Sequence, residues 1–172
     1  IEDNKYSINW SETDNYYKYN KDKLLIGGRE EAILRLKEVK ECNNYSKERD
    51  RLMYNTTGLS AYIKFGNISI REVYYYFKKH LSNQNGLFGQ LYWREFYYYI
   101  AYYYPYVFGK SMKEKYDKIK WLSGKKEKEY LNKWINGKTG YPIVDAGMKE
   151  LKTTGYMHNR SRLITSNFLF KL

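Results

Sequence analysis

The sequence predicts an all-α domain, on three observations. Apolar residues recur at helical spacing in one segment after another, those segments end at glycine or proline, and no stretch alternates long enough to make a strand. From Arg29 to Cys42, Ala32, Ile33, Leu36 and Val39 keep the spacing of one helix face. Asn43 to Asn55 is polar and charged, a connector, and Thr56-Thr57-Gly58-Leu59-Ser60 then opens a short apolar stretch closed by Gly66. Ser69 with Glu72 is a capping-box pattern, and Val73, Tyr76, Phe77, His80 and Leu81 carry a stripe behind it. Gly86 to Tyr104 reads as a long helix with Leu87, Leu91, Phe96 and Ile100 on one side, stopped by Pro105. Glu127 to Asn136 is another, with Tyr130, Leu131 and Trp134 apolar and Gly137 as the stop. Pro142 suits the first turn of the next helix, which carries Ile143, Ala146 and Leu151 and halts near Gly155. The last helix starts near His158 and carries Leu163, Ile164, Phe168 and Leu169. Residues 1–24 are polar and without period, a tail or linker, so the domain is expected over 25–172, with no internal repeat.

Composition narrows the function classes. The chain has 172 residues, with 31 Lys plus Arg against 19 Asp plus Glu, a net charge of +12. That excess points to a polyanionic partner, nucleic acid or an acidic membrane face. Mean hydropathy is −0.83, and no apolar run approaches the roughly 18 residues a transmembrane helix needs. With 42% hydrophobic and 19% aromatic residues the chain is too apolar for a solvated, disordered segment. The single Cys42 excludes a disulfide scaffold and fits a reducing intracellular compartment, cytoplasm or nucleus. The sequence starts at Ile1 and no signal-peptide pattern follows, which suits an internal piece or a processed product. The 22 tyrosines suggest a nucleotide-composition bias, so runs such as Tyr97-Tyr98-Tyr99 carry little weight as stacking platforms.

Read alone, the chemically capable residues support few sites. His80 and His158 are far apart and Cys42 has no partner at ligand spacing, so neither a metal site nor a Cys–His nucleophile is expected. Gly137-Lys138-Thr139 lacks the earlier glycine and the preceding strand of a phosphate loop. Thr56 to Ser60 offers hydroxyls and free N–H groups at a helix start, suited to an anion; ordinary N-capping would select the same residues and is the more common cause. Trp93-Arg94-Glu95 and Asn159-Arg160-Ser161-Arg162 set arginines beside aromatic or amide groups. Arg160 and Arg162, two apart on a helix, face different ways, so one can turn inward and the other toward solvent.

Taken in order, these segments resemble the flavin-binding part of the DNA photolyase/cryptochrome family. The strongest piece is Gly137-Lys-Thr-Gly-Tyr-Pro-Ile-Val-Asp-Ala-Gly-Met148, continued by Thr154-Gly-Tyr-Met-His-Asn-Arg160. Before it come Gln90-Leu-Tyr-Trp-Arg-Glu-Phe96, Thr56-Thr-Gly-Leu-Ser60 with Tyr62 to Gly66, and Tyr45-Ser-Lys-Glu-Arg49-Asp50. The resemblance spans roughly Leu25 to Leu172 and implies an all-helical domain that holds FAD and admits a flipped-out pyrimidine dimer from ultraviolet-damaged DNA. It implies that Tyr45 and Thr56, Thr57, Gly58, Leu59 and Ser60 hold the phosphates and ribityl chain, that Arg94 lies against the diphosphate or ring system, and that Arg162 sits beside the flavin ring. Arg49 and Arg160 match DNA contacts around the lesion, and Trp93 matches the indole that packs on the flipped dimer. Asn159 matches an amide near both flavin and lesion, while Trp121 matches the outermost tryptophan of the chain that photoreduces the flavin. The activity implied is deoxyribodipyrimidine photolyase: light-driven electron transfer from reduced FAD splits the cyclobutane ring.

Some positions depart from the pattern. Dimer-repairing relatives carry Glu where Gln90 stands, and an amide there can only hydrogen-bond. The (6-4) photolyases and many cryptochromes carry Gln, yet (6-4) enzymes have histidines at the positions of Asn159 and Leu163. Leu163 also replaces a Met of the dimer-repairing pattern. Cyclobutane-dimer repair is the leading expectation, and a cryptochrome-like photoreceptor or an inactive DNA-binding relative is the alternative. The family pattern continues on both sides of this chain, into an antenna domain, whose chromophore nothing here identifies, and into a C-terminal segment. The resemblance therefore implies that those parts are partners of this chain, that Arg162 lacks its acidic partner, and that the chain alone binds flavin weakly or not at all.

Overall fold

A computed structural model describes residues 12, 15, 16, 18–54, 56–83 and 85–171, and these are helical with no strand among them. The expected tail over 1–24 lies largely outside the described residues. The helices are α1 (Arg29–Glu38), α2 (Tyr45–Glu48), α3 (Ser60–Lys64), α4 (Ile70–His80), α5 (Leu87–Tyr103), α6 (Lys125–Ile135), α7 (Pro142–Thr154) and α8 (Asn159–Lys171). Short 3₁₀ turns follow α1 at Val39–Glu41 and α5 at Pro105–Phe108.

Two apolar clusters organise them. The larger joins Ala32, Leu36 and Val39 of the α1 region, Tyr45, Tyr62, Val73 and Phe77 of α2 to α4, and Leu87 and Leu91 of α5. Asn85 fixes the start of α5 from inside this cluster: its Oδ1 accepts from the Leu87 N–H at 3.0 Å, and its Nδ2 donates to the Cys42 carbonyl at 3.1 Å. The smaller cluster packs α7 on α8 through Val144, Met148 and Met157, flanked by Trp134, Ile164 and Phe168. The Trp134 indole N–H donates to the Thr165 carbonyl at 3.0 Å, which ties α6 to α8. The N-terminal stretch links the two bodies, with Leu24 N–H donating to the Thr154 carbonyl at 3.1 Å.

Several local expectations are corrected. The connector after Cys42 contains the one-turn helix α2, because its Tyr45 is buried against the larger core. The capping box is half formed. Ser69 Oγ accepts from Arg71 N–H at 3.2 Å, but Glu72 turns away to pair with Arg29 at 3.0 Å. On α5 the stripe is buried only at Leu87 and Leu91; Ile100 is half-buried and Phe96 is exposed. Tyr130 and Leu131 of α6 are also exposed.

On α7 and α8 the buried face only partly matches the expected stripe. Val144, Gly147 and Met148 are buried, whereas Ile143, Ala146 and Leu151 are exposed. On α8, Ser161 and Thr165 are buried, and Leu163 and Leu169 are exposed. Small residues decide the contact: a Cβ on Gly147 would lie 2.3 Å from Ser161 Oγ and 3.0 Å from Thr165 Cγ2. The helices pack backbone to backbone there, which bulkier faces could not do.

Candidate functional site

A cavity of about 550 Å³ opens between the two clusters, within the range usual for small-molecule and cofactor sites. Its floor comes from the turn before α3. Gly58 sits at φ +63°, a left-handed conformation that glycine adopts without strain, and this turns Thr56, Thr57 and Ser60 to one wall. No side chain caps α3; Thr57 Oγ1 accepts only a long bond, 3.4 Å, from Leu59 N–H. N-capping therefore does not account for the hydroxyl cluster. Thr56 Oγ1 also lies 3.5 Å from the Tyr156 hydroxyl, which joins this wall to the α7–α8 body.

The α2 wall supplies Tyr45 and Arg49. Burial pushes the Tyr45 hydroxyl above its ordinary range, against the opposing pull of Arg49, so it stays protonated and able to donate at neutral pH. The α5 wall supplies Gln90, Leu91 and Arg94, and the start of α8 supplies Asn159 and Arg162. The Arg94 guanidinium pairs with Glu95 and lies 4.4 Å over the Tyr98 ring. Arg162 is exposed and its side chain has no ion pair among the described residues. The charge therefore stays in water, so the missing acidic partner carries no burial penalty here.

Eleven of the nominated residues thus line one cavity: Tyr45, Arg49, the five from Thr56 to Ser60, Gln90, Arg94, Asn159 and Arg162. Four lie outside its walls. Trp93 is 56% exposed and packs on its own helix, edge-on to Phe96 at 5.5 Å and stacked with Tyr97 at 6.1 Å. Leu163 is exposed on α8, and Trp121 is 61% exposed with its ring 6.2 Å from Phe170. Arg160 binds Asp50, bridging α8 to the loop after α2; the hydrogen bond from Arg160 is what chiefly holds the Asp50 carboxyl below its ordinary range.

Residues missed from sequence complete the walls: Ile63 and Lys64 on α3, Tyr97, Tyr98 and Ala101 on α5, Phe108 and Tyr156. A signal existed for those on α5. Positions 90, 94, 97, 98 and 101 fall on one helical face, and the discounted tyrosine run hid it. Lys64 and Tyr156 had no such signal. Elsewhere, the phosphate-loop lookalike is occupied by protein. Thr139 N–H and hydroxyl donate to Asp145 Oδ1 at 2.7 and 2.6 Å, and Gly140 N–H donates to Oδ2 at 3.0 Å. Among the described residues no group of three His, Cys, Asp or Glu side chains could hold a metal ion, and no helix is long and apolar enough to cross a membrane.

The donor set and walls fit FAD. Hydroxyls and cations suit a diphosphate, and the aromatic and aliphatic α5 wall suits flat rings. The family model described as the FAD binding domain of DNA photolyase matches residues 87–172, which hold α5 through α8. A deoxyribodipyrimidine photo-lyase of Buchnera aphidicola is 38% identical over 167 residues, covering 89% of this chain and 33% of that protein. Cryptochrome-2 of Gallus gallus is 36% identical over 163 residues, covering 83% of this chain and 26% of that protein. The crystal structure of an archaeal photolyase from Sulfolobus tokodaii, solved with two FAD molecules, superposes with a TM-score of 0.81 at 36% identity, covering 96% of this chain and 36% of that one. The chain thus spans about a third of the length of such relatives. With a matching model over half its length, the matching fold, and a cavity of the right chemistry between its two cores, the chain belongs to the DNA photolyase family, within its FAD-binding domain.

Proposed function

We propose that the cavity holds FAD and that the chain serves light-driven repair of ultraviolet-damaged DNA, splitting cyclobutane pyrimidine dimers. The observation that carries this reading is the convergence of eleven nominated residues, from four separate segments, on one cavity. Thr56, Thr57 and Ser60 offer hydroxyls, and Tyr45 a protonated phenol, to the phosphate and ribityl oxygens. Arg94 and Arg162 bring positive charge to the diphosphate and ring system, while Leu59, Ile63 and Phe77 exclude water from the floor. The chemistry supplied by bound FAD is light absorption and the loan of an electron to the dimer, whose cyclobutane ring then opens. Gln90 and Asn159 hold the lesion by hydrogen bonds at the cavity rim, with Trp93 and Leu163 as its apolar contacts outside the wall. Arg49 and Arg160 neutralise phosphates beside it, and Asp50 keeps Arg160 oriented until a phosphate competes. Trp121, open to solvent, takes the role of passing electrons inward from a reductant.

The test is flavin binding followed by illumination. FAD co-eluting with the chain on gel filtration, and light-dependent loss of dimers from an irradiated oligonucleotide in the presence of the remaining family-length segments, are expected. The chain alone is expected to retain flavin weakly; failure to retain it at any concentration with those segments present, and with the helical fold intact by circular dichroism, overturns the cavity assignment. A light-sensor reading is favoured by one observation, the amide of Gln90 in the cavity wall. Gln90→Glu separates the two: a rise in dimer splitting supports repair limited by the amide, and unchanged flavin photochemistry without repair supports the sensor.

A further inference from the structure

The charge of the chain is not spread evenly. Between Lys110 and Lys128 stand eight lysines against three carboxylates, a net charge of +5 in 19 residues, out of +12 for the chain. All eight lysines are exposed, and among the described residues none of them forms an ion pair. One of the three carboxylates, Asp117, is engaged by the Ser111 N–H at 2.8 Å, and that bond holds it ionised. Lys115 lies 4.9 Å over the ring of Tyr116, and Trp121 stands exposed among these lysines.

The patch is separate from the cavity. The cavity wall includes Phe108 but no residue from Gly109 to Lys128. Trp121 meets α8 at Phe170, eight residues beyond the cavity residue Arg162, or about 12 Å along a helix. Point charges on flexible stems, with no arginine fork among them to grip a single small anion, match a repeating polyanion. Duplex DNA offers one phosphate charge per roughly 1.7 Å of axis, a density that a strip of unpaired lysines can follow without reading sequence.

We infer that the Lys110–Lys128 strip is a second DNA-binding surface that grips the phosphate backbone of undamaged duplex and does not recognise lesions. It needs neither flavin nor the lesion contacts, and so stands apart from the assignment of the cavity. Its effect is to hold the chain on DNA and to raise the rate of encounter.

The experiment uses the whole chain, with Lys118, Lys120, Lys125 and Lys126 replaced together by Gln, and again by Arg. Fluorescence anisotropy with an undamaged duplex across a series of salt concentrations gives the slope of log K against log salt. Each lost phosphate contact should lower the magnitude of that slope by about 0.9. The Gln variant should therefore lose about two to four in slope, and the Arg variant should retain it. The preference for dimer-containing over undamaged duplex should be unchanged in both. An unchanged slope in a folded Gln variant overturns the proposal, as does a lowered lesion preference, which would place the strip at the lesion. Polyglutamate competing as well as duplex at equal charge also overturns it, in favour of an acidic protein partner. A failure of the cavity reading would show instead as loss of flavin retention with the salt slope intact.

Discussion

At Trp93 an exposed indole packs on Phe96 and Tyr97 of the same helix. Replacing it with Ala should therefore leave thermal stability within about 0.5 kcal/mol, the usual range for a surface change. If its flat face supports a flipped lesion, the same change should weaken binding of dimer-containing DNA by about 1–3 kcal/mol, the worth of one stacked base, and spare undamaged duplex. Equal losses for both duplexes would show that Trp93 meets the backbone and not the lesion. Asp145 makes the opposite kind of contribution, to the fold itself. The Thr139 hydroxyl, then the Thr139 and Gly140 N–H groups, hold its carboxyl below the ordinary range. A depressed folded-state value stabilises above the unfolded value and is lost as pH falls through the folded one. Asp145→Ala should thus lower the melting temperature at pH 7, and the gap to the parent should close as pH drops below the ordinary carboxylate range near 4. A gap that stays constant down to pH 2 would remove Asp145 from the acid transition.

The α7–α8 pair shows what an element needs that apolar periodicity does not display. Its helices, the proline at the start of α7 and the left-handed Gly155 at its end, φ +70°, were legible in the sequence because caps and stops are local chemistry. The buried face was not. Ile143, Ala146 and Leu151 form the expected stripe yet are exposed, while Gly147, Ser161 and Thr165 lie inside beside Val144 and Met148. Close approach of two backbones selects by size, and size complementarity across a helix pair leaves no apolar period in either helix. The cavity divides in the same way. Motif residues such as Thr56 to Ser60 and Arg162 could be nominated, whereas Lys64, Phe108 and Tyr156 join it only through tertiary placement. Gly147→Ala tests the contact. Its methyl must displace the Ser161 hydroxyl and crowd Thr165 on α8, at a cost of about 1–3 kcal/mol for overpacking. Because α8 carries Asn159 and Arg162, flavin retention should fall with stability. Ser161→Ala in the same chain removes the atom 2.3 Å away and should recover part of the loss; strict additivity of the two changes would show that α8 does not yield at this point.

At the scale of the molecule, the cavity lies where two separately packed bodies meet, and its cations come from both. Arg49 and Arg94 stand on the α1–α5 side, and Arg162 on the α7–α8 side. A flavin with its diphosphate and ring system between Arg94 and Arg162 would link the bodies, so ligand binding and global stability should be coupled. A ligand at about 100 times its dissociation constant adds roughly 2.7 kcal/mol to the folded state. FAD should therefore raise the melting temperature of the chain in a concentration-dependent way, and flavin mononucleotide, lacking the diphosphate bridge, should raise it less. Arg162→Gln isolates the charge. This side chain is exposed and makes no ion pair among the described residues, so its loss should leave the stability of the unliganded chain nearly unchanged. Charge-assisted hydrogen bonds are worth about 1.5–3 kcal/mol, so the flavin-dependent shift should shrink by an amount equivalent to roughly ten-fold or more in affinity. If the variant loses stability without flavin and keeps the full shift with it, Arg162 braces α8 and does not contact the flavin.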